Sequence, residues 1–529
     1  MSSLKVCRNV RLNNKYEHTI FFTDHSERDA YFDNKVVATF ENLSYLRKKW
    51  NIKVQASYTS ARSWNYAFTE DSTHPRYYYF ITEVNYISDT TVELLLELDV
   101  MITYIHMYQI NKSYVERNHV TDDLIGVHTL DEGLDLGEYV ASNVGKDSTL
   151  DDLCVLILTS VDLVDVIPGE NEADTIKRIA GTYYNGVFSG VAIQAVSALH
   201  YNDFAEKLIN LSIASEDIIS MWMFPQELVQ LDEEYSWSDG QPVKRVVGFK
   251  NGLTFQTSRN ENPLGYKPRN NKLLTYPFNF LYVTNNSGNA VSYPYERFED
   301  PNNIEFDYTG SLSPAESVKI YPKRFKNEIK AYEHGVSLPP YPTCAWSSDT
   351  YKLWLAQNQK QMETSLITSG FSIGGGIVAT ALGALSLNPG AVAGGGMAVL
   401  GGLNQIFSTL QKQEDSKAMP DTAKGNWSSS TNISSGFQNF SIMHKGITLE
   451  RMKVIDDYFD MFGYKLNRLM LPRIHARENW SYVKTIGANV SGNIPNDDLD
   501  KIKSIYDTGV TFWVNGDEIG NYSLSNNPI

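Results

Sequence analysis

The chain has 529 residues, 42% of them hydrophobic and 20% charged, which excludes wholesale disorder and leaves length for about three or four domains. Lys and Arg total 46 against 62 Asp and Glu, and the resulting −16 excludes a tight grip on nucleic acid, although it suits DNA that must slide past. Three scattered cysteines (Cys7, Cys154 and Cys344) exclude a disulfide framework and a cysteine zinc site. The N-terminal stretch Met1–Val10 lacks the apolar run of a secretory signal, so folding in a reducing cytoplasm is expected.

In chain order, the first 160 residues read as β-rich. Tyr77–Tyr86 is aromatic and β-branched, Ser88-Asp89-Thr90 supplies a turn, and Val92, Leu94, Leu96, Leu98 and Val100 then alternate with Glu93, Leu95, Glu97 and Asp99. That period of two predicts a hairpin with one buried face. Leu153–Leu158 is a continuous apolar run of buried-strand length. Tyr201–Leu211 carries apolar residues at helical spacing, and punctuation by Gly, Asn and Pro up to about residue 342 predicts strands and loops. Ser348-Asp349 could cap a helix from Thr350. Near the C-terminus, Leu449–Phe462 predicts an amphipathic helix stopped by Gly463. Asn496–Thr508 predicts another, with Leu499, Ile502, Ile505 and Tyr506 on one face and Gly509 at its end, before a strand over Val510–Val514.

One segment breaks this pattern. Thr364–Gln411, 48 residues, contains no Asp, Glu, Lys, Arg or His, and eleven glycines are scattered among Ile, Val, Ala, Leu and Phe. Asn388-Pro389 divides it into arms of 22 residues (Leu366–Leu387) and 21 residues (Gly390–Leu410), each long enough as a helix to cross a hydrocarbon core roughly 30 Å thick. Three readings are open. Gly370-xxx-Gly374 and Gly390-xxx-Gly394 have the spacing of close-packed helices in lipid, but no Lys/Arg cluster abuts either arm to orient a permanent anchor. A buried core hairpin is the bland alternative, and burial between subunits would make it easier. The third reading combines the two, a hairpin sheltered in a soluble assembly and later released into a bilayer.

Catalytic signals are thin. Gly370-Phe371-Ser372-Ile373-Gly374 fits G-x-S-x-G, with His444, Asp421 and Asp456 downstream as paper partners, yet Met362–Ser365 reads as helix where a strand is required. The ten histidines form no metal-binding pair, and there is no phosphate loop or dinucleotide fingerprint. Of the acidic pairs Asp151-Asp152, Asp456-Asp457 and Asp497-Asp498, two sit at or near helix starts or early turns, where solvated or capping roles are the default. The basic patch Arg473, His475, Arg477 and Lys484 is read as surface or subunit contact. The expectation is a protein that is not an enzyme, with no catalytic residue, metal or cofactor.

Several stretches carry a specific likeness. They are Lys15–Thr23 with Tyr31-Phe32, then Tyr79–Glu83, Leu98–Val100, Val115–Val120, and Thr129–Leu134 with Gly137–Tyr139. At the C-terminus come Gly463–Arg468, Trp480–Val483, Ser491–Ile494, Asn496–Leu499, Asp507–Gly509 and Ile519–Ser523. In this order, with the apolar segment between, the chain resembles the distal tail knob (lower tail tube) proteins of small short-tailed phages that infect Gram-positive bacteria and prime replication with a protein. The likeness is weak between about 165 and 340, apart from Leu274–Pro277 and Gly310–Leu312.

The resemblance implies a mainly β fold with α+β insertions, a β-barrel-like tail-tube wall, and a hexameric hollow cylinder. Residues 1–160 and 427–529 would build the wall, 161–347 a middle knob region, and 348–426 a helix with a membrane-active loop whose core is 364–411. That loop would plug the lumen and then enter the host membrane through Leu366, Ile367, Phe371, Ile373, Gly374, Gly375, Gly376, Ile377, Val378, Leu382, Leu385, Leu387 and Pro389 of the first arm and turn. The second arm would contribute Val392, Gly394, Gly395, Gly396, Met397, Val399, Leu400, Leu403, Ile406, Phe407 and Leu410. Implied partners are five further copies in a homo-hexamer, upper tail or collar proteins and the tail tip, genomic double-stranded DNA bound without sequence specificity, and the host cell membrane. The implied location is the virion tail, after synthesis in the host cytoplasm. The alternative is a free-standing pore-forming or membrane-anchored protein, which predicts a soluble monomer that assembles only on lipid; a lipid esterase using Ser372 is a third candidate.

Overall fold

The computed structural model describes residues 3–41, 49–71, 75–146, 150–166, 177–181, 183–184, 187–197, 200, 203–204, 217–314, 316–325, 331–341, 343–345 and 439–529. The architecture is mainly β. The chain divides into two compact units, the first made of 1–140, 261–279 and 447–529, the second of 141–260 and 280–446. The sequence-based boundaries at 160/161 and 426/427 therefore fall within the second unit.

Strands are numbered in chain order. In the first unit a six-stranded sheet runs β3 (Val36–Glu41), β1 (Ser3–Arg8), β5 (Trp64–Glu70), β6 (Tyr77–Ser88), β7 (Thr91–Leu98), β4 (Lys49–Gln55). A five-stranded sheet runs β2 (His18–Ile20), β29 (Val510–Trp513), β27 (Trp480–Ile486), β9 (Ser113–Asn118), β26 (Tyr464–Met470), and β8 (Tyr108–Ile110) pairs with β28 (Val490–Gly492). The predicted hairpin is β6–β7, and Val92, Leu94, Leu96 and Leu98 are buried as their alternation requires. Val100 leaves the pattern. Asp99 turns to accept hydrogen bonds from the amides of Met101 and Ile102 at 3.1 and 3.2 Å, and so caps the short helix α3 (Val100–Tyr104), which follows α1 (His25–Asp33) and α2 (Tyr58–Ala61). The first unit's core is aromatic: Phe32 stacks on Tyr66 with centroids 5.0 Å apart, and Trp480 meets Trp513 at 5.1 Å.

Helix α4 (Leu449–Phe462) starts at Thr448, whose hydroxyl accepts from the Arg451 amide. It ends at Gly463 with φ 65°, where an added Cβ would stand 2.5 Å from the Asn118 carbonyl group, so both backbone conformation and space call for glycine. Helix α5 (Asn496–Thr508) buries Ile502, Ile505 and Tyr506, half-buries Leu499 and stops at Gly509 with φ 103°. Both helices follow the sequence expectation.

In the second unit a six-stranded sheet runs β16 (Val229–Leu231), β17 (Lys244–Phe249), β14 (Ala192–Ser197), β11 (Leu153–Thr159), β15 (Ile218–Pro225), β24 (Thr343–Ala345). A four-stranded sheet runs β10 (Tyr139–Lys146), β25 (Ser441–Ile447), β19 (Asn279–Thr284), β20 (Ala290–Tyr293), and another runs β18 (Thr254–Thr257), β21 (Ile304–Thr309), β22 (Lys319–Pro322), β23 (Val336–Ser337). A two-stranded ribbon joins β12 (Tyr183–Tyr184) and β13 (Val187–Phe188). The apolar run Leu153–Leu158 is the central strand β11, flanked by β14 and β15, which is why it reads as a run with no polar face. Of the Tyr201–Leu211 stretch only 203–204 are described, and the helix expected from Thr350 lies outside the described residues.

Candidate functional site

The apolar segment and every residue expected to act in it, Leu366 to Leu410, lie outside the described residues; its flanks do not. On the entering side, β24 forms one edge of its sheet and pairs antiparallel with β15 through Trp222↔Thr343, Met221↔Cys344 and Ser220↔Ala345. On the returning side, Asn439 donates from Nδ2 to Asp151 at 3.0 Å, while its Oδ1 accepts from the Phe440 amide at 2.7 Å. Asn286 Nδ2 lies 3.3 Å from the Asn439 carbonyl and 2.9 Å from Ser441 Oγ. Phe440 and Ile442 are buried in the second unit's core, and β25 lies inside its sheet between β10 and β19. The 93 residues 346–438 thus leave from and return to strands of sheets in one unit. Among the described residues no helix is long and apolar enough to cross a membrane.

Of the paper triad, Ser372 and Asp421 lie outside the described residues, and the other two members are engaged elsewhere. His444, in the second unit, bonds Tyr295 Oη through Nδ1 at 2.7 Å, and burial lowers its pKa. Asp456, in the first unit, accepts four hydrogen bonds: Oδ2 from Tyr266 Oη at 2.6 Å and the Arg269 amide at 2.9 Å, Oδ1 from the Asn270 amide at 3.1 Å and Asn270 Nδ2 at 2.8 Å. A fully occupied carboxylate of this kind holds backbone in place.

Asp456 is accordingly no solvated pair member. It is buried, as is Asp498, whose Oδ2 accepts from Tyr104 Oη at 3.0 Å. The clue lay in spacing: Asp456 and Asp460 share the face of α4 that carries Met452, Ile455 and Phe459. With Arg269 they fasten residues 261–279, which belong to the first unit although the chain on both sides belongs to the second. Arg269 bridges to Asp460 at 3.1 Å and also to Asp457, and burial pushes the Asp460 carboxyl up to about 6 against the pull of that guanidinium. Next to this clasp, Glu132 is buried between Arg117 and Lys272 and accepts from the Lys465 amide at 3.0 Å. Asp123 accepts from Tyr464 Oη at 2.6 Å.

The basic patch is divided: Arg473 and His475 are exposed, as a surface reading expects, Lys484 is half-buried and Arg477 buried, and each has a partner within the unit. Arg477 is buried and donates to the Asn526 carbonyl at 3.3 Å, Lys484 pairs with Glu116 at 2.9 Å, His475 stacks on Phe21 at 4.6 Å, and Arg473 bonds Thr121. His119 is held neutral, its Nε2–H donating to the Asp460 carbonyl at 3.0 Å and its Nδ1 accepting the Tyr482 amide at 2.7 Å. Burial, helped by Arg477 and Arg117, pushes its pKa down to about 3. Among the described residues no group of His, Cys, Asp or Glu is arranged to hold a metal ion. Cys7 and Cys154 are buried and free, and burial pushes the Cys7 thiol up to about 12. These arrangements fix structure; none sets a nucleophile beside a base.

Comparison with known proteins gives a consistent picture. The family model for the C-terminal domain of tail knob protein gp9 of Bacillus phage phi29 matches residues 246–527, and that for the N-terminus of caudoviral major tail proteins matches 1–109. The chain is 24% identical over 611 aligned positions to tail knob protein gp9 of Bacillus phage PZA, covering 99% of this chain and 98% of the relative. To tail knob protein gp9 of Bacillus phage phi29 it is 23% identical over 603 positions, with the same coverage. The structure of the bacteriophage C1 tail knob protein gp12 superposes with a TM-score of 0.69 at 16% identity over 100% of both chains, so the fold is shared across low sequence identity.

Proposed function

Because this chain belongs to the gp9 tail knob family of phi29-like phages, and so is a structural component of the virion tail, we propose that it forms the distal tail tube as a homo-hexamer with a DNA-conducting lumen. Residues 1–160 and 427–529 supply the tube wall, 161–347 broaden it, and 348–426 carry the loop whose core, 364–411, closes the lumen until it enters the host cell membrane and opens a path for the genome.

The observation that carries this reading is a 48-residue charge-free segment, lying in the stretch 346–438 between strands β24 and β25 of one unit, in a chain with net charge −16. A segment that apolar needs a sheltered place before release, which a closed ring of copies provides. An acidic wall keeps DNA moving, whereas lysines along it would hold phosphates. Upper tail proteins and the tail tip are the neighbours in this scheme, and the protein reaches the virion after synthesis in the host cytoplasm.

The test is deletion of 364–411. Lipid-free rings of about six copies should form with and without the segment, by native mass and electron microscopy, while leakage of liposomes should be lost with it. Leakage that survives the deletion would place the pore elsewhere, and a wild-type protein that stays monomeric until lipid is added would favour the free-standing pore former.

A further inference from the structure

Two histidines far apart in sequence meet in the first unit. His25 opens α1 and His106 follows shortly after α3; their rings lie 4.6 Å apart, centroid to centroid, at 68°. Helix α1 carries the chain from β2 of the five-stranded sheet to β3 of the six-stranded sheet, and α3 carries it from β7 of the six-stranded sheet to β8. The ring contact therefore joins two connections that run between sheets. Beside it Arg28, 4% exposed, donates through Nη1 to the Ile102 and Thr103 carbonyls, both at 3.4 Å.

The contact suits neutral rings. His106 Nε2 is buried and meets no hydrogen-bond partner, so a charge on this imidazole has no water to face on that side. Burial holds the His106 pKa below the usual imidazole value, and His25 and then Arg28 push the same way, while Asp24 pulls back through its backbone and its carboxylate. The carboxylates around α1 are engaged. Asp24 caps the Glu27 amide at 2.9 Å, Glu27 takes the Thr23 amide and hydroxyl at 2.7 and 2.6 Å, and Asp29 pairs with Arg28 at 2.9 Å, faces Arg76 and accepts from Tyr78 Oη at 2.6 Å. On the α3 side Asp99 is turned to Tyr66 at 2.8 Å and to two amides of its own helix. We propose that the His25–His106 pair is an acid-sensitive catch, which fixes the start of α1 against the α3 turn when both rings are neutral and releases it when both are protonated. Two imidazolium rings beside the Arg28 guanidinium repel at short range, with Asp24 the one carboxylate among the described residues that faces His106. Because the folded-state pKa of His106 is lowered, its contribution is present above the unfolded value near 6.5 and is lost as pH falls below it.

The test is amide hydrogen exchange on the full-length chain at about pH 7.5 and 5, read as protection factors so that the intrinsic pH dependence of exchange drops out. Wild-type protection over residues 24–34 should fall about tenfold or more at the lower pH, while His106→Gln and His25→Gln should each change less than about twofold. The slope is the readout, so a variant that starts less protected still reports, and His25 is exposed enough to be replaced without disturbing the core. His25→Lys, which places a lasting charge against His106, should show the low protection already at pH 7.5. Other buried groups do not imitate this result: His119 stays neutral down to about 3, and Asp99 and Asp460, both raised to about 6, favour the folded state in acid. Wild-type protection of 24–34 that holds within about twofold between the two pH values would overturn the catch. So would a fall of the same size in both glutamine variants, which would assign the acid response to groups elsewhere in the unit.

Discussion

In the first unit, charge is sunk into the interior. Lys272 and Glu132 are 2% and 1% exposed, Arg117 closes on the same carboxylate, and Asp456 spends all its acceptor capacity on residues 266–270. In the second unit the core from Leu153–Ile157 through Trp222 and Phe306 to Ile442 is apolar, and the polar side chains buried beside it among the described residues, such as Thr159 and Gln194, are uncharged except for Lys244. Its ion pairs, such as Arg245 with Asp162 and Asp165 or Lys244 with Asp239, keep at least one partner in touch with water. The difference follows the chain's route. The first unit gathers three separated segments, and buried polar bonds, poor sources of net stability, are good at accepting one arrangement and penalising every other.

Breaking the buried charge should have the largest effect. Glu132→Ala leaves two cations without their carboxylate and should cost about 3–5 kcal/mol in denaturant unfolding, read by the near-ultraviolet signal of Trp480 and Trp513 in the first unit. If that loss is under about 1 kcal/mol, buried charge does not hold the segments together. In the second unit the matching test is Ile442→Ala, a cavity mutation expected to cost about 2–5 kcal/mol with no change at the first unit's melting transition. A single coincident transition in both variants would show that the units unfold as one.

A pH series sharpens the comparison. Asp99 is buried, and burial pushes its carboxyl up to about 6 although Tyr66 and two amides bond it. A raised folded-state pKa contributes stability that is complete below the unfolded value near 4 and is lost as pH climbs through 6. Asp99→Asn removes this slope, so the variant should gain on wild type between pH 4 and 7 by up to about 3 kcal/mol. His119 acts in the opposite sense, its contribution present above pH 6.5 and lost as pH falls toward 3, and Asp99→Asn leaves that part unchanged. The smallest expected effect is Asn439→Ala, about 1–2 kcal/mol, which loosens the returning flank of the apolar segment and should raise hydrogen exchange in 439–447.

Local structure was legible wherever one residue's neighbours in sequence decide its environment. The alternation of Val92, Leu94, Leu96 and Leu98 gave the buried face of β7, and Gly463 and Gly509 ended α4 and α5 for steric reasons visible in one dimension. Partners were not legible. Period two says which side of β9 is buried and not that β26 and β27 flank it, and nothing local in 261–279 says that this stretch joins the first unit. Asp456 was misread because a paired aspartate was weighed by its neighbour Asp457 and not by its position on the helix. The apolar segment announced itself by composition alone, which names a solvent and not a shape.

The parallel pairing of β2 with β29, His18↔Thr511 to Ile20↔Trp513, has a consequence for synthesis. Residues 447–529 leave the ribosome after all of 141–446, so the second unit has its whole chain in hand while the first still waits for β26 to β29. A product cut short before Tyr464 lacks β26, β27 and β29, three of the five strands of that sheet. Translation thereby acts as an inspector: an unfinished polypeptide has no finished first unit to offer its neighbours.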